Sequence, residues 1–148
     1  MLRKLWRLIS MKDQQIRQRL VDLLGSEESD SDLVKPLLEL AIALHSWNLN
    51  CISKIECGAS LQDSSYAGEI QLLISDHRGT WPVSVRASWF GKMITFIDEN
   101  KTMDSKKEAE LEHIFEKHGF QYVPHRLLLE TCPKEGYDNW FDCYFSWM

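Results

Sequence analysis

Asp76, Glu99 and Lys101 are the residues whose types and order come nearest to a catalytic set in this chain. An acid closing one strand, with an acid-x-lysine at the end of a later strand, could hold a magnesium ion between two carboxylates. The lysine would then position a water for phosphodiester hydrolysis. This gives a small hydrolase or metal-dependent nuclease as one expectation. The pattern is only three residues in an acidic chain, however, and such a chain repels nucleic acid. Other chemistry has less support. There is no glycine-flanked serine elbow and no glycine-rich phosphate loop. His113 and His118 lie five apart, which turns them about 140° from each other on a helix, unlike the i, i+4 pair of a zinc helix. His45, His77 and His125 are isolated in sequence. Cys51, Cys57, Cys132 and Cys143 lack zinc-site spacing and are expected to be reduced and mostly buried, although a Cys51–Cys57 disulfide is geometrically conceivable. No metal and no cofactor are expected.

Charge points elsewhere. Residues 1–20 hold Arg3, Lys4, Arg7, Lys12, Arg17 and Arg19 against Asp13 alone, a balance of +5. The rest of the chain carries 11 bases against 21 acids, a balance of −10. An acidic body favours a basic protein partner and disfavours nucleic acid and anionic membrane. The basic start has other readings. As an amphipathic helix, Leu2, Leu5, Trp6, Leu8 and Ile9 with Arg3, Lys4 and Arg7 could lie on an anionic membrane and serve a membrane-surface adaptor. As a plain first helix, its bases neutralise neighbouring acids. Met11 also begins a plausible chain, so residues 1–10 could be a dispensable basic extension.

The elements that would position these residues follow from periodicity. With 148 residues, a hydrophobic fraction of 44% and six Trp, one folded domain spanning 1–148 is expected. No apolar run is long enough to span a bilayer and no signal-peptide cleavage site follows the first bases, so a cytoplasmic chain is expected. Leu5, Leu8, Ile9, Ile16, Leu20, Leu23 and Leu24 recur at helical spacing before Gly25. Residues 26–32 form a short acidic linker. A second helix follows to about Trp47, apolar on most sides and therefore expected to be well covered. Strand-like alternation then marks Cys51 to Cys57, Gly68 to Ser75, Trp81 to Trp89 and Met93 to Asp98, with a four-residue connection at 76–79. Pro82 suits a strand end or edge. Asp104 or Ser105 caps a third helix that ends at Gly119, and Ser105 to Glu108 fits a capping box. Phe120 to Val123 reads as extended and Pro124 opens a short helical turn. The terminal Trp140, Phe141, Tyr144, Phe145 and Trp147 fit a strand slightly better than a helix. The fold class expected is α+β: two N-terminal helices, a four- or five-stranded mostly antiparallel sheet, and one further helix packed on it.

From the third helix onward the pattern runs through Gly119-Phe120-Gln121-Tyr122-Val123-Pro124 and Tyr137 to Trp140-Phe141-Asp142 with Tyr144-Phe145. It resembles the C-terminal third of small bacterial immunity proteins encoded beside polymorphic or contact-dependent growth-inhibition toxins. The resemblance implies a non-catalytic inhibitor that blocks a basic, nuclease-type toxin through an acidic surface, with electrostatic steering toward the partner. Candidate contact residues are Asp63, Asp98, Glu99, Glu108 and Glu112, with Trp140 and Tyr144 as aromatic anchors.

Overall fold

The computed structural model describes residues 2–24, 33–47, 52–57 and 66–145; of 2–11, 52–57, 66 and 67 it describes the backbone alone. The elements are α1 (Leu2–Leu23), α2 (Val34–Trp47), β1 (Ile52–Cys57), β2 (Tyr66–Asp76), β3 (Gly79–Ser88), β4 (Met93–Ile97), α3 (Ser105–Lys117), β5 (Gln121–Tyr122), α4 (His125–Leu128) and α5 (Trp140–Tyr144). The chain is α+β. Its sheet has five strands in the order β1-β2-β3-β4-β5. The first four form an antiparallel meander, while β5 runs parallel to β4 with Met93 opposite Gln121. A parallel pair needs a crossover connection, and α3 supplies it.

The β2–β3 hairpin is tighter than the sequence suggested. Asp76 pairs with Gly79, so the loop is only His77 and Arg78. Gly79 sits at φ 141°, a region that favours glycine, and the Arg78 amide donates to Asp76 Oδ1 at 2.7 Å. Because β3 starts at Gly79, Pro82 lies inside the strand opposite Leu73 rather than at its start. It is tolerated there because β4 pairs only with Ser84 to Ala87, which leaves Pro82 a ladder neighbour on one side alone.

Alternation along the strands separates two cores. Ile70, Leu72 and Ile74 of β2, Val83, Val85 and Ala87 of β3, and Ile94 and Phe96 of β4 share one face. Against them pack Leu37, Leu40, Ala41 and Leu44 of α2 with Leu111 and Phe115 of α3. Each large aliphatic buried this way contributes about 1.5–3 kcal/mol. On the other face, Met93 joins Ile16 and Leu20 of α1, Leu127 and Leu128 of α4, and Trp140, Cys143, Tyr144 and Phe145. This second layer was not expected from the sequence. Gly91 lets it close: at φ 63° it turns β3 into β4, and a Cβ there would meet Leu23 Cδ1 at 2.9 Å.

Three local expectations change. Asp104 alone caps α3, its Oδ1 accepting from the Lys107 amide at 2.8 Å; Ser105 already lies in the first turn, so its capping box does not form. The C-terminal aromatic segment is helical from Trp140 to Tyr144, not a strand. Asn139 Oδ1 caps it by accepting from the Asp142 amide at 2.8 Å, and spacing of four stacks Trp140 on Tyr144 and Phe141 on Phe145, each at 6.0 Å. Finally, α2 is not covered all round, because Val34, Leu38 and Ile42 stand on its outer side. Among the described residues no helix is long and apolar enough to cross a membrane.

Candidate functional site

The acids expected to meet a partner take different parts. Asp98 follows β4 and folds the next loop around itself. Its Oδ1 accepts from the Thr102 amide at 3.0 Å and from Thr102 Oγ1 at 2.7 Å, and its Oδ2 accepts from the Met103 amide at 2.9 Å. That role is structural, so Asp98 leaves the contact set. Glu112 on α3 accepts from Lys12 of α1 at 2.7 Å and is already paired. Glu108 and Glu99 are exposed. Burial, and then the charges of Asp98 and Asp104, push the Glu108 carboxyl upward. Asp63 lies outside the described residues.

Trp140 and Tyr144 are withdrawn as partner anchors. They are 4% and 3% exposed and belong to the second core, where each stacks on the other and Tyr144 also packs against Phe90 at 5.8 Å. A partner could reach them only by displacing α5.

The residues of the nuclease expectation divide between two concavities. Asp76 and Lys101 both line a wide pocket of about 620 Å³, together with Arg78, Thr102, Asp104 and Lys107. The Asp76 carboxylate is engaged there: Arg78 donates to Oδ2 from Nε at 3.0 Å and from Nη2 at 2.8 Å. This contact, aided by the Arg78 amide, holds the Asp76 carboxyl below its usual range. Arg78 Nη2 also reaches the Asn100 carbonyl at 2.7 Å, so the guanidinium ties the hairpin to the loop after β4. Glu99 lines the other concavity. Among the described residues, no three His, Cys, Asp or Glu side chains converge as a metal ion would need.

The basic charges of the first helix are also accounted for in part. Arg17 grips Glu130 bidentately, Nε to Oε1 at 2.8 Å and Nη2 to Oε2 at 3.0 Å, and Arg126 grips Asp13 at 2.9 and 3.0 Å. These pairs clamp α1 against α4 and the residues after it, and Lys12 reaches α3. Lys12, Asp13 and Arg17 therefore serve the fold.

The second concavity is a groove of about 200 Å³ on the side of the sheet opposite α2 and α3. Glu69 and Gln71 project from β2, Ser84 and Arg86 from β3 and Ile97 from β4, with Glu99 and Asn100 closing one end and Pro82 in one wall. Cross-strand register assembles it: Glu69 lies opposite Arg86, and Ser84 lies between Gln71 and Ile97. Ser84 Oγ donates to Glu69 Oε1 at 2.8 Å. The Arg86 guanidinium lies 5.6 Å from the centre of the Phe141 ring and donates from Nη1 to the Phe145 carbonyl at 3.4 Å. Glu69, Ser84 and Arg86 were not named from the sequence. Polar residues at alternate positions of two adjacent strands were the available signal.

Among the described residues, three exposed aliphatic side chains lie together on α2. Val34, Leu38 and Ile42 are 37%, 45% and 69% exposed. Spacing of four places them on one flank. On the opposite flank Trp47 Nε1 donates to Glu110 of α3 at 3.1 Å, so the stripe looks away from α3.

Comparison with protein-family models, with curated proteins and with solved structures found no match to this chain.

Proposed function

We propose that this chain is a non-catalytic protein-binding domain whose partner is a basic protein, most concretely an immunity protein that neutralises a cognate basic toxin of nuclease type. The observation that carries the reading is the aliphatic stripe of Val34, Leu38 and Ile42 on the outside of α2. Contiguous apolar surface with polar surroundings marks protein contact sites. The partner's charge follows from the −10 balance beyond residue 20. Glu39 of α2 and Glu108, Glu110 and Glu116 of α3 are exposed on the same helical layer, where they would steer a basic surface and speed encounter.

The test is growth rescue. A basic toxin domain encoded by the adjacent gene should arrest cells when expressed alone, and co-expression of this chain should restore growth. Leu38→Asp and Ile42→Asp should each weaken the complex at least about tenfold, or about 1.4 kcal/mol, without lowering the melting temperature. Rescue and affinity that ignore both substitutions would rule out the stripe as the contact. Absence of any complex with the neighbour's product would end the immunity reading.

A further inference from the structure

We propose that Cys132 and Cys143 form a reversible disulfide when the folded chain meets a low-molecular-weight disulfide, locking the C-terminal helix to the segment ahead of it. The site belongs to the second core, on the other side of the sheet from α2, and does not depend on the partner reading.

Both cysteines are free and buried, at 5% and 7% exposed. The backbone brings them together. Thr131 pairs antiparallel with Asn139, and the Trp140 amide donates to the Glu130 carbonyl at 3.2 Å, so residues 130–140 close on themselves. Cys132 directly follows one arm of this closure. Cys143 stands one turn of α5 beyond the other, its amide donating to the Asn139 carbonyl at 3.3 Å. At that junction the thiols meet, and the Cys132 sulfur acts on Cys143 both as a hydrogen-bond partner and as a charge. A disulfide demands close, facing side chains, and the junction supplies them.

The surroundings set the order of attack. Burial, and then the Cys132 charge, push the Cys143 thiol up to about 11, so this sulfur keeps its proton near neutral pH. Cys132 lies at the foot of the exposed loop Pro133 to Gly136, where the Lys134 amide donates to its Sγ at 3.4 Å. Local opening of that loop admits a small molecule without unfolding either core. Cys132 therefore attacks first. Its thiolate displaces one thiolate from the incoming disulfide and leaves a mixed disulfide. Capping removes the Cys132 charge, and with it one cause that held the Cys143 proton. Cys143 then loses that proton to water and attacks the Cys132 sulfur, expelling the second thiolate. One external S–S bond is reduced to two thiols, which take up the two protons, and one internal S–S bond is formed.

The test incubates the native chain with oxidised glutathione at mildly alkaline pH and maps the product without reduction. Trypsin cuts after Lys134, between the two cysteines, so the link appears as residues 127–134 joined to 135–148. Reduction should separate these peptides. Most of the chain should carry the link while its near-UV spectrum stays native. Cys143→Ala should instead retain glutathione on Cys132, at least about tenfold faster than Cys132→Ala retains it on Cys143. The proposal is overturned if the native chain gives no Cys132–Cys143 link, if the link forms only in urea, or if Cys51 or Cys57 takes the place of either partner. Equal uptake of glutathione by the two variants overturns the order of attack. Should a variant lose its native spectrum, the parent chain still decides, because its link needs no substitution.

Discussion

The Tyr144 hydroxyl donates to the Leu20 carbonyl at 2.9 Å, joining the C-terminal helix to the first one across 124 residues of sequence. The carbonyl needs that donor. Near the end of α1 the Leu24 amide turns back to Val21, so among the described residues it does not serve the Leu20 carbonyl, one of the last of the helix. Tyr144→Phe keeps the ring and removes only the donor, so a buried acceptor is left unmet. The expected cost is about 1–2 kcal/mol in urea unfolding, with the native near-UV spectrum retained. An unchanged urea midpoint would show that α5 holds α1 by packing alone.

Alkaline pH should loosen the same core. Burial, with the neighbouring Cys132, pushes the Cys143 thiol up to about 11 from 9.0. Burial likewise raises the Tyr144 and Tyr122 phenols above their usual 10.0. In the unfolded chain these groups release their protons first, so above pH 9 the native state holds protons that the unfolded state has lost. Stability is then complete below about pH 9 and falls as pH rises toward about 11. Urea midpoints measured across this window should decline steadily, and alkylation of Cys143 should be slow until the protein unfolds. A flat midpoint would mean that these side chains meet water in the native state.

How much was legible depended on which forces decide each element. The strand Met93 to Ile97 announces itself, because apolar residues at every position but Thr95 suit a strand covered on both faces. Asp104 was readable as a cap for a similar reason, since capping is local. The C-terminal segment was ambiguous because Trp140, Phe141, Tyr144 and Phe145 satisfy both periods. Asn139 and the two aromatic stacks decide it, and neither strand-like alternation nor propensity reports them. The groove was hidden more deeply. Glu69 and Ser84 lie 15 residues apart, and only the β2–β3 register brings them within a hydrogen bond. Glu99 was named from the sequence but grouped with Asp76, whose carboxylate Arg78 already holds.

Asp98 provides a check on structural acids. Thr102 and Met103 are both buried, and three of their donors converge on this one carboxylate. Asp98→Ala strands those donors and should cost about 1–3 kcal/mol. Once corrected for the unfolded fraction, affinity for a basic partner should not change. A variant of full stability that binds more weakly would return Asp98 to the contact surface.

The two sides of α2 make the sharpest comparison. Leu40 is fully buried between the helix and the sheet, whereas Ile42, two residues on, is 69% exposed. Leu40→Ala removes packed methyl groups and opens a cavity that the sheet fills only in part, so it should cost about 2–5 kcal/mol. Ile42→Ala removes atoms that already face outward and should stay within about 0.5 kcal/mol of the parent. Matched urea titrations distinguish the two directly. If Ile42→Ala costs as much as Leu40→Ala, the stripe is part of the core, and a docking role for it cannot stand.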